Sequence, residues 1–247
     1  METFNLLWRS VKWRFQNPVI IIMTLTQPLL WLLLFSTIFS GNQTNGNYTA
    51  FILPGILLMC VLSSSGMSGI ANYSLKTGGS YYRIYISPVK KSSIVLSHIL
   101  DAAVLSFIQI AILMGISFMM SVRIASGVSG VFLMALLLFL TVAFVAAISY
   151  AISHALPDEN SFIALVNTFT LPLFFVSSAL IPYEQIPRGF RIPVLINPFT
   201  HVINSLRRFV SGGLVDWGQF LFTVGLLLIL CICSFVLAIH SLKRDSQ

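Results

Sequence analysis

Charged side chains are scarce in this sequence. Of its 247 residues only 9% are Asp, Glu, Lys or Arg, whereas 57% are hydrophobic, and the mean hydropathy is +0.91. Soluble domains carry about 25% charged residues, so this composition excludes an ordinary soluble fold. In lipid, only helices and closed barrels satisfy all their backbone hydrogen bonds. The apolar runs are long and lack two-residue alternation, so they predict an all-α integral membrane protein.

Ionisable residues are almost absent from the apolar runs. Ion- and proton-driven pumps place such residues in their spans, so the sequence does not favour a gradient-driven pump. His98 and Asp101 are exceptions near the start of the third run, where their position favours capping or snorkelling over a proton relay. The 14 Lys and Arg residues instead flank the runs. That placement favours contact with membrane lipid and does not indicate nucleic acid.

Nucleotide and metal motifs are also missing from the sequence. The fragment nearest to a P-loop, at residues 76–79, lacks the spacing in which a glycine-rich loop cradles phosphates. Cys60, Cys231 and Cys233 lie in apolar runs, and the last two are spaced for neither a shared metal nor a mutual disulfide. We therefore expect the chain to bind no cofactor or metal and to contain no catalytic residue.

Six apolar runs are each long enough to cross about 30 Å of hydrocarbon. They lie at roughly 19–39, 50–71, 94–120, 128–154, 160–181 and 219–240. No repeat or low-complexity linker divides them, so residues 1–247 are predicted to form a single transmembrane domain. Nine Lys and Arg residues fall on the side that includes both termini and five on the other, which predicts cytoplasmic termini. The nine are Arg9, Lys12, Arg14, Lys76, Arg83, Lys90, Lys91, Lys243 and Arg244.

Two segments outside the runs have amphipathic patterns. Residues 1–18 place apolar side chains at helical spacing and predict a helix in the cytoplasmic interface, with an ordinary flanking segment as the alternative. Residues 182–218 contain four prolines that break helices repeatedly. They predict broken, re-entrant outer helices, and the alternative is a surface loop with one amphipathic helix. After Asn197-Pro198 the predicted apolar face consists of Phe199, Val202, Ile203, Leu206 and Phe209.

Small residues are concentrated in the second run. Ser65, Gly66 and Gly69 predict close helix packing, because membrane helices approach each other most closely at such residues. Gly66-Met67-Ser68-Gly69 also matches the pattern of rhomboid intramembrane serine proteases, so a protease is an alternative. The pattern recurs at residues 127–130, and no later span holds a mid-membrane histidine to act as base. Packing is therefore the preferred interpretation.

Two stretches carry a family resemblance. Residues 171–187, followed by Ile196-Asn197-Pro198-Phe199-Thr200 and Leu206-Arg207, resemble the C-terminal region of ABC-2-type transporter permeases. Residues 76–89, with a basic residue, two glycines and Ser87-Pro88, are similar to the cytoplasmic loop of that family, although the usual acids before the glycines are missing.

The resemblance implies a transport subunit and not an enzyme. Two permease chains, identical or similar, would pair with two separate ATP-binding cassette subunits that hold ATP and Mg²⁺. The cargo would be an amphipathic drug, peptide, lipid or lipid-linked glycan exported across a plasma membrane, which we expect to be bacterial. A gradient-independent channel is a further alternative.

The resemblance also implies roles for particular residues. The cytoplasmic segment 72–93 and the turn before the fifth run would couple the chain to the ATPase, through Lys76, Gly78, Gly79, Tyr81, Tyr82, Arg83, Tyr85, Pro88, Asp158 and Glu159. The external region would be shaped by Pro182, Glu184, Pro187, Asn197, Pro198 and Arg207.

Overall fold

The computed structural model describes residues 18–39, 48–77, 90–120, 122, 124–180, 183–212 and 216–244, and every regular element among them is helical. The α-helices are α1 (Pro18–Phe39), α2 (Tyr48–Gly66), α3 (Ile70–Thr77), α4 (Lys91–Met119), α5 (Gly127–Ala155), α6 (Glu159–Phe175), α7 (Arg188–Ile196), α8 (Pro198–Ser211) and α9 (Trp217–Arg244). Short 3₁₀ turns lie at Met67–Gly69 and Tyr183–Gln185. The all-α prediction is confirmed for these residues.

Four stretches of the described residues are long and apolar enough to cross a membrane. They are Tyr48–Leu75, Lys91–Met119, Gly127–Ala155 and Trp217–Arg244, and they correspond to the second, third, fourth and sixth predicted runs. In the first run the qualifying apolar stretch is shorter, Thr24–Ile38, and α6 in the fifth run has 17 residues. The protein is therefore a multi-pass membrane protein, and the count of six spans stays a prediction.

Helix α2 is the centre of the bundle. Its residues 52–62 are buried without interruption, and it contacts α1, α4, α5, α6 and α8. A helix that is apolar all round is stable only when other elements surround it. The most extensive helix pair is α5 with α9. Large apolar side chains on the outer faces of α1 and α9, such as Leu30 and Ile229, are exposed and suit contact with lipid tails.

The amphipathic pattern after Asn197-Pro198 is confirmed. Helix α8 begins at Pro198, and its five predicted apolar residues are all buried. Pro at the first helical position fits because its missing N–H has no partner within the helix anyway. Two short helices, α7 and α8, thus lie between α6 and α9.

Several predicted residues lie outside the described part of the chain. They are the interfacial segment 1–17, the coupling residues Gly78, Gly79, Tyr81, Tyr82, Arg83, Tyr85 and Pro88, and Pro182. The backbone of Lys76 lies in the last turn of α3, and the backbone of Glu184 lies in the second 3₁₀ turn. The structure does not describe the side chains of these two residues.

Candidate functional site

The second span is interrupted where its small residues are concentrated. The α-helical pattern of α2 stops at Gly66, a 3₁₀ turn covers Met67–Gly69, and α3 resumes at Ile70. A stretch of 3₁₀ helix inside a longer helix leaves some backbone groups without their usual partners and often marks a hinge. In lipid such groups must be satisfied by protein.

Ser149 of α5 is the hydrogen-bond partner of two of these backbone groups. Its Oγ donates to the carbonyl O of Gly66 at 2.6 Å and accepts from the amide N of Gly69 at 2.9 Å. The two helices can approach this closely because position 69 has no side chain. A Cβ there would lie 2.7 Å from the carbonyl O of Ser149 and 2.7 Å from Cζ of Phe162 on α6. Gly66 faces α6 as well, since a Cβ would lie 3.1 Å from Val166.

Ser68 has a histidine partner that the sequence analysis did not anticipate. Nε2 of His98 on α4 lies 3.2 Å from Oγ of Ser68. His98 lies about two turns from the start of α4, so it is not the mid-membrane histidine whose absence weighs against a protease. The hydroxyl of Ser68 donates to the carbonyl O of Ser65 at the shorter distance of 2.6 Å. Because a hydroxyl has one hydrogen, Oγ acts as acceptor toward His98. A general base must instead take the hydroxyl hydrogen, so this arrangement does not activate Ser68.

The interior of the bundle contains further hydrogen bonds between helices. Ser64 and Ser65 both contact Oγ of Ser106 on α4, at 2.7 and 3.3 Å. Nδ2 of Asn72 on α3 donates to Oγ of Ser153 on α5 at 2.6 Å. Polar side chains that bond across helices hold membrane bundles together. These bonds join α2 and α3 to α4 and α5 around the interruption.

A second chain of polar contacts connects three helices nearer the middle of the bundle. Oε1 of Gln109 on α4 accepts from Sγ of Cys60 on α2 at 3.3 Å, and its Nε2 donates to Oγ1 of Thr24 on α1 at 2.6 Å.

Asp101, one turn beyond His98, is only 6% exposed. Snorkelling of Asp101 is therefore wrong, because a snorkelling carboxylate reaches water, whereas the capping interpretation stays a prediction.

Asn197 connects the end of α6 to the start of α8. Its Oδ1 accepts from the amide N of Phe199, which caps α8, and its Nδ2 donates to the carbonyl O atoms of Leu173 and Val176 at 2.8 and 2.7 Å. The side chain is buried. An amide is suited to this position because it offers an acceptor and two donors at once. The Asn-Pro turn thus fixes the direction in which the chain leaves the fifth run.

Arg207 on α8 binds the segment that follows α6. Its Nη2 donates to the carbonyl O atoms of Ser178 and Ala179 at 2.7 and 3.3 Å, and its Nε donates to the carbonyl O of Phe51 on α2 at 3.2 Å. The guanidinium carbon lies 3.7 Å from the centre of the Phe51 ring. A planar, five-donor group can make all these contacts together. Arg207 therefore holds α2, α8 and the residues after α6 in one arrangement.

The turn before α6 is closed by Asp158. Its carboxylate accepts from the backbone N and the Oγ of Ser161 at 2.9 and 2.8 Å, so Asp158 is the N-cap of α6. These hydrogen bonds hold the pKa of Asp158 below its usual value, and the carboxylate stays ionised at neutral pH. Glu159 follows in the first turn, where a negative charge suits the helix dipole. Contact of these residues with an ATPase stays a prediction.

Apolar helices that bind one another through buried serine and asparagine side chains and a half-buried arginine define a multi-pass helical membrane protein. Residues 1–210 of the chain match the sequence model of the family described as ABC-2 type transporter. The match covers most of the chain, and the chain belongs to that family.

Relatives of the chain include proteins that are named as transport permeases. Transport permease ycf38 of Cyanophora paradoxa is 29% identical over 198 residues, which cover 78% of this chain and 68% of that protein. Its counterpart in Porphyra purpurea is 28% identical over 211 residues, or 83% and 71% of the two chains. The daunorubicin resistance ABC transporter permease protein DrrB1 of Streptomyces coeruleorubidus is 23% identical over 242 residues, or 97% and 83%.

Proposed function

We propose that the chain is the membrane-spanning permease subunit of an ATP-driven exporter. The match of residues 1–210 to the ABC-2 type transporter family carries the proposal, and the alignment with a drug-resistance ABC permease over 97% of the chain supports it. The partner would be a separate ATP-binding cassette subunit that holds ATP and Mg²⁺. A second permease copy, identical or similar, would complete the pathway.

The proposal includes a six-span topology with both termini in the cytoplasm. Helix α1 and helix α6 would add two spans to the four long stretches, and α7 and α8 would form a re-entrant region on the outer side. The excess of Lys and Arg on the side of the termini supports this orientation.

Energy would enter through residues 76–91. Helix α3 continues the second span directly into this segment, whereas α4 begins at Lys91 immediately after it. Movement of the segment would therefore act on α3 beyond the interruption at Met67–Gly69. The three tyrosines at positions 81, 82 and 85 supply aromatic groups of the kind that anchor protein interfaces.

The cargo class that fits best is an amphipathic, drug-like molecule, with peptides, lipids and lipid-linked glycans as the wider class. The relative DrrB1 is named for resistance to daunorubicin. The described spans are mostly apolar, which suits a cargo that partitions into the membrane more than it suits a bare ion.

Export can be tested in cells that express the chain together with an ATP-binding subunit that co-purifies with it. We expect efflux of an amphipathic fluorescent dye to need both proteins and to stop when the P-loop lysine of the partner is replaced. Dye movement that continues without a functional ATPase would instead favour the channel alternative. Release of a membrane-anchored reporter peptide, abolished in Ser68→Ala, would favour the protease.

Coupling can be tested by replacing Tyr81, Tyr82 and Tyr85 together with Ala. We expect less ATPase subunit to co-purify with the permease and ATP hydrolysis to be uncoupled from efflux. Tyr183→Ala is the matched control, because this tyrosine lies in the 3₁₀ turn before α7 at the predicted outer end. Unchanged co-purification of the triple variant would place the contact elsewhere.

Topology can be tested by cysteine labelling in a background without native cysteines. A membrane-impermeant maleimide should label Asn45→Cys and Glu184→Cys in intact cells and should label Gly79→Cys only after permeabilisation. Labelling of Gly79→Cys in intact cells would reverse the proposed orientation.

A further inference from the structure

A cavity of about 520 Å³ opens where the end of α4 meets the start of α5. Its wall is almost entirely apolar and includes Leu53 of α2, Met114 and Phe118 of α4, and Val128 and Val131 of α5. Cavities of about 300–1,000 Å³ are the usual size for small-molecule and cofactor sites. The cavity is therefore large enough to hold a long apolar group.

The wall formed by the α4–α5 connection is fixed in place by α8. Oγ of Ser126 donates to the carbonyl O of Phe209 at 2.6 Å, and the amide N of Ala125 donates to the carbonyl O of Val210 at 3.4 Å. Gly127 then turns the chain into α5 with a φ of 63°, a value that favours glycine. These contacts attach the connection to α8, while the amide N of Val122 donates to the carbonyl O of Ser117 on α4 at 3.1 Å. The wall of the cavity is therefore fixed at both ends of the connection.

Among the described residues that line this cavity, Ser117 has the only polar side chain. Ser117 is 1% exposed, and its hydroxyl has no hydrogen-bond partner within the part of the chain that the structure describes. A serine in a membrane helix ordinarily bonds the carbonyl one turn earlier, and a buried hydroxyl without a partner is unfavourable. Ser117 is one of the lining residues, so an acceptor on a molecule bound in the cavity would give this hydroxyl the partner that it lacks.

The depth of Ser117 indicates what that molecule offers. Helix α4 has 29 residues, or about 43 Å at 1.5 Å per residue, which exceeds a hydrocarbon core of about 30 Å. The excess places the last turn of α4 in the interface between tails and headgroups. Ser117 lies two residues before the end of α4. At this depth, bilayer glycerolipids carry the ester carbonyls that join their acyl chains to glycerol.

We propose that this cavity binds one acyl chain of a bilayer glycerolipid, whose ester carbonyl accepts a hydrogen bond from Ser117. Lipid tails are as apolar as the cavity wall, so burial alone gives the bound lipid no advantage over the bulk bilayer. The preference of the cavity for a bound lipid over the bulk bilayer comes from the hydrogen bond from Ser117 and from the fit of the acyl chain to the wall. The site retains lipid whether or not the chain works with an ATPase.

The test compares ester-linked with ether-linked phosphatidylcholine, which has the same headgroup and chains but lacks the ester carbonyls. The purified chain is equilibrated with an equimolar mixture, and retained lipid is measured by native mass spectrometry. One hydrogen bond corresponds to a preference of about fivefold for the ester lipid. We expect Ser117→Ala to remove this preference and Ser129→Ala, an exposed serine on α5, to keep it.

A second pair of variants tests the location. Val131→Trp should fill the cavity and reduce retention of both lipids, whereas Leu136→Trp, which adds the same ring to an exposed position of α5 outside the cavity, should not. Equal retention of the two lipids by the unmodified chain, or an ester preference that survives Ser117→Ala, would overturn the proposal. The lipid comparison decides the matter even if Val131→Trp fails to fold. Because no ATPase is present, the result is independent of the export assay.

Discussion

Gly69 and Ser149 lie 80 residues apart in the sequence, yet the amide N of Gly69 is 2.9 Å from the Oγ of Ser149. The same oxygen donates to the carbonyl O of Gly66 at 2.6 Å. One hydroxyl of α5 thus replaces hydrogen bonds that the 3₁₀ interruption removes from the second span. The interruption and its partner form one structural unit.

Ser149→Ala should destabilise this unit. Both backbone groups lose a partner in a buried environment, so we expect a loss of about 1–3 kcal/mol in the free energy of unfolding, measured by SDS titration. Ser129→Ala removes an exposed hydroxyl from the same helix and should have little effect. Equal SDS unfolding midpoints for the two variants would show that the backbone groups of Gly66 and Gly69 form hydrogen bonds with other partners.

Gly69→Ala should be destabilising, although alanine is the better helix former. The new methyl group would lie 2.7 Å from the carbonyl O of Ser149, which cannot move without displacing α5. Overpacking of this kind costs about 1–3 kcal/mol. Gly115→Ala on α4 is the control, because nothing lies within 4 Å of its Cβ position, and there the higher helix propensity of alanine should maintain or raise stability. The stability of both variants, Gly69→Ala and Gly115→Ala, can be measured by thermal inactivation in detergent.

Ser68→Ala should leave dye efflux nearly unchanged. The hydroxyl of Ser68 donates to the carbonyl O of Ser65 within its own helix turn, and its loss removes one acceptor for His98. We expect a small decrease in stability and no loss of transport beyond about twofold. Complete loss of activity with the fold preserved, as judged by size-exclusion chromatography, would contradict this prediction and restore weight to the protease alternative.

Asn197→Asp separates the two roles of this side chain. The carboxylate can still accept from the amide N of Phe199, but it can no longer donate to the carbonyl O atoms of Leu173 and Val176. We expect destabilisation of about 2 kcal/mol or more by SDS titration. Asn160→Ala, at an exposed asparagine in the first turn of α6, serves as the reference. Full stability of Asn197→Asp would mean that the cap alone matters.

Arg207 and Arg208 are neighbours in α8, yet a lysine substitution should affect them differently. Arg207→Lys removes the guanidinium that donates to the carbonyl O atoms of Phe51, Ser178 and Ala179. We expect the free energy of unfolding to fall by about 1.5–3 kcal/mol. Arg208 forms an exposed ion pair with Asp216 at 3.1 Å, and lysine can replace it with little loss. Parallel measurements of unfolding in the two variants, at low and high salt, check the difference.

The helices were more predictable from the sequence than the contacts between them. The apolar face of α8 could be predicted because five residues recur at helical spacing and the preceding Asn-Pro marks the start of the helix. Long apolar runs likewise identified the four membrane-capable stretches.

The partners of polar residues could not be predicted in the same way. A serine in an apolar helix has many possible partners, and spacing along the chain does not show that Ser149 faces Gly69 or that His98 faces Ser68. The one available signal was Ser149 and Ser153, four residues apart on α5, which indicates a polar stripe facing another helix. Burial of Asp101 was missed because its position near the start of a run suggested water, whereas packing of α4 decides its exposure.

The contact between Ser149 and the interrupted second span also bears on how the chain is assembled during synthesis. Residues of α2 and α3 enter the membrane before α5 has been translated, since chains fold from the N-terminus as they emerge. Until Ser149 arrives, the amide of Gly69 and the carbonyl of Gly66 lack that partner in an environment without water. A nascent chain that ends before α5 should therefore be recognised by membrane quality-control proteases more readily than one that ends after it. Pulse-chase half-lives of chains truncated after residue 120 and after residue 156 would measure this delay in the completion of the second span.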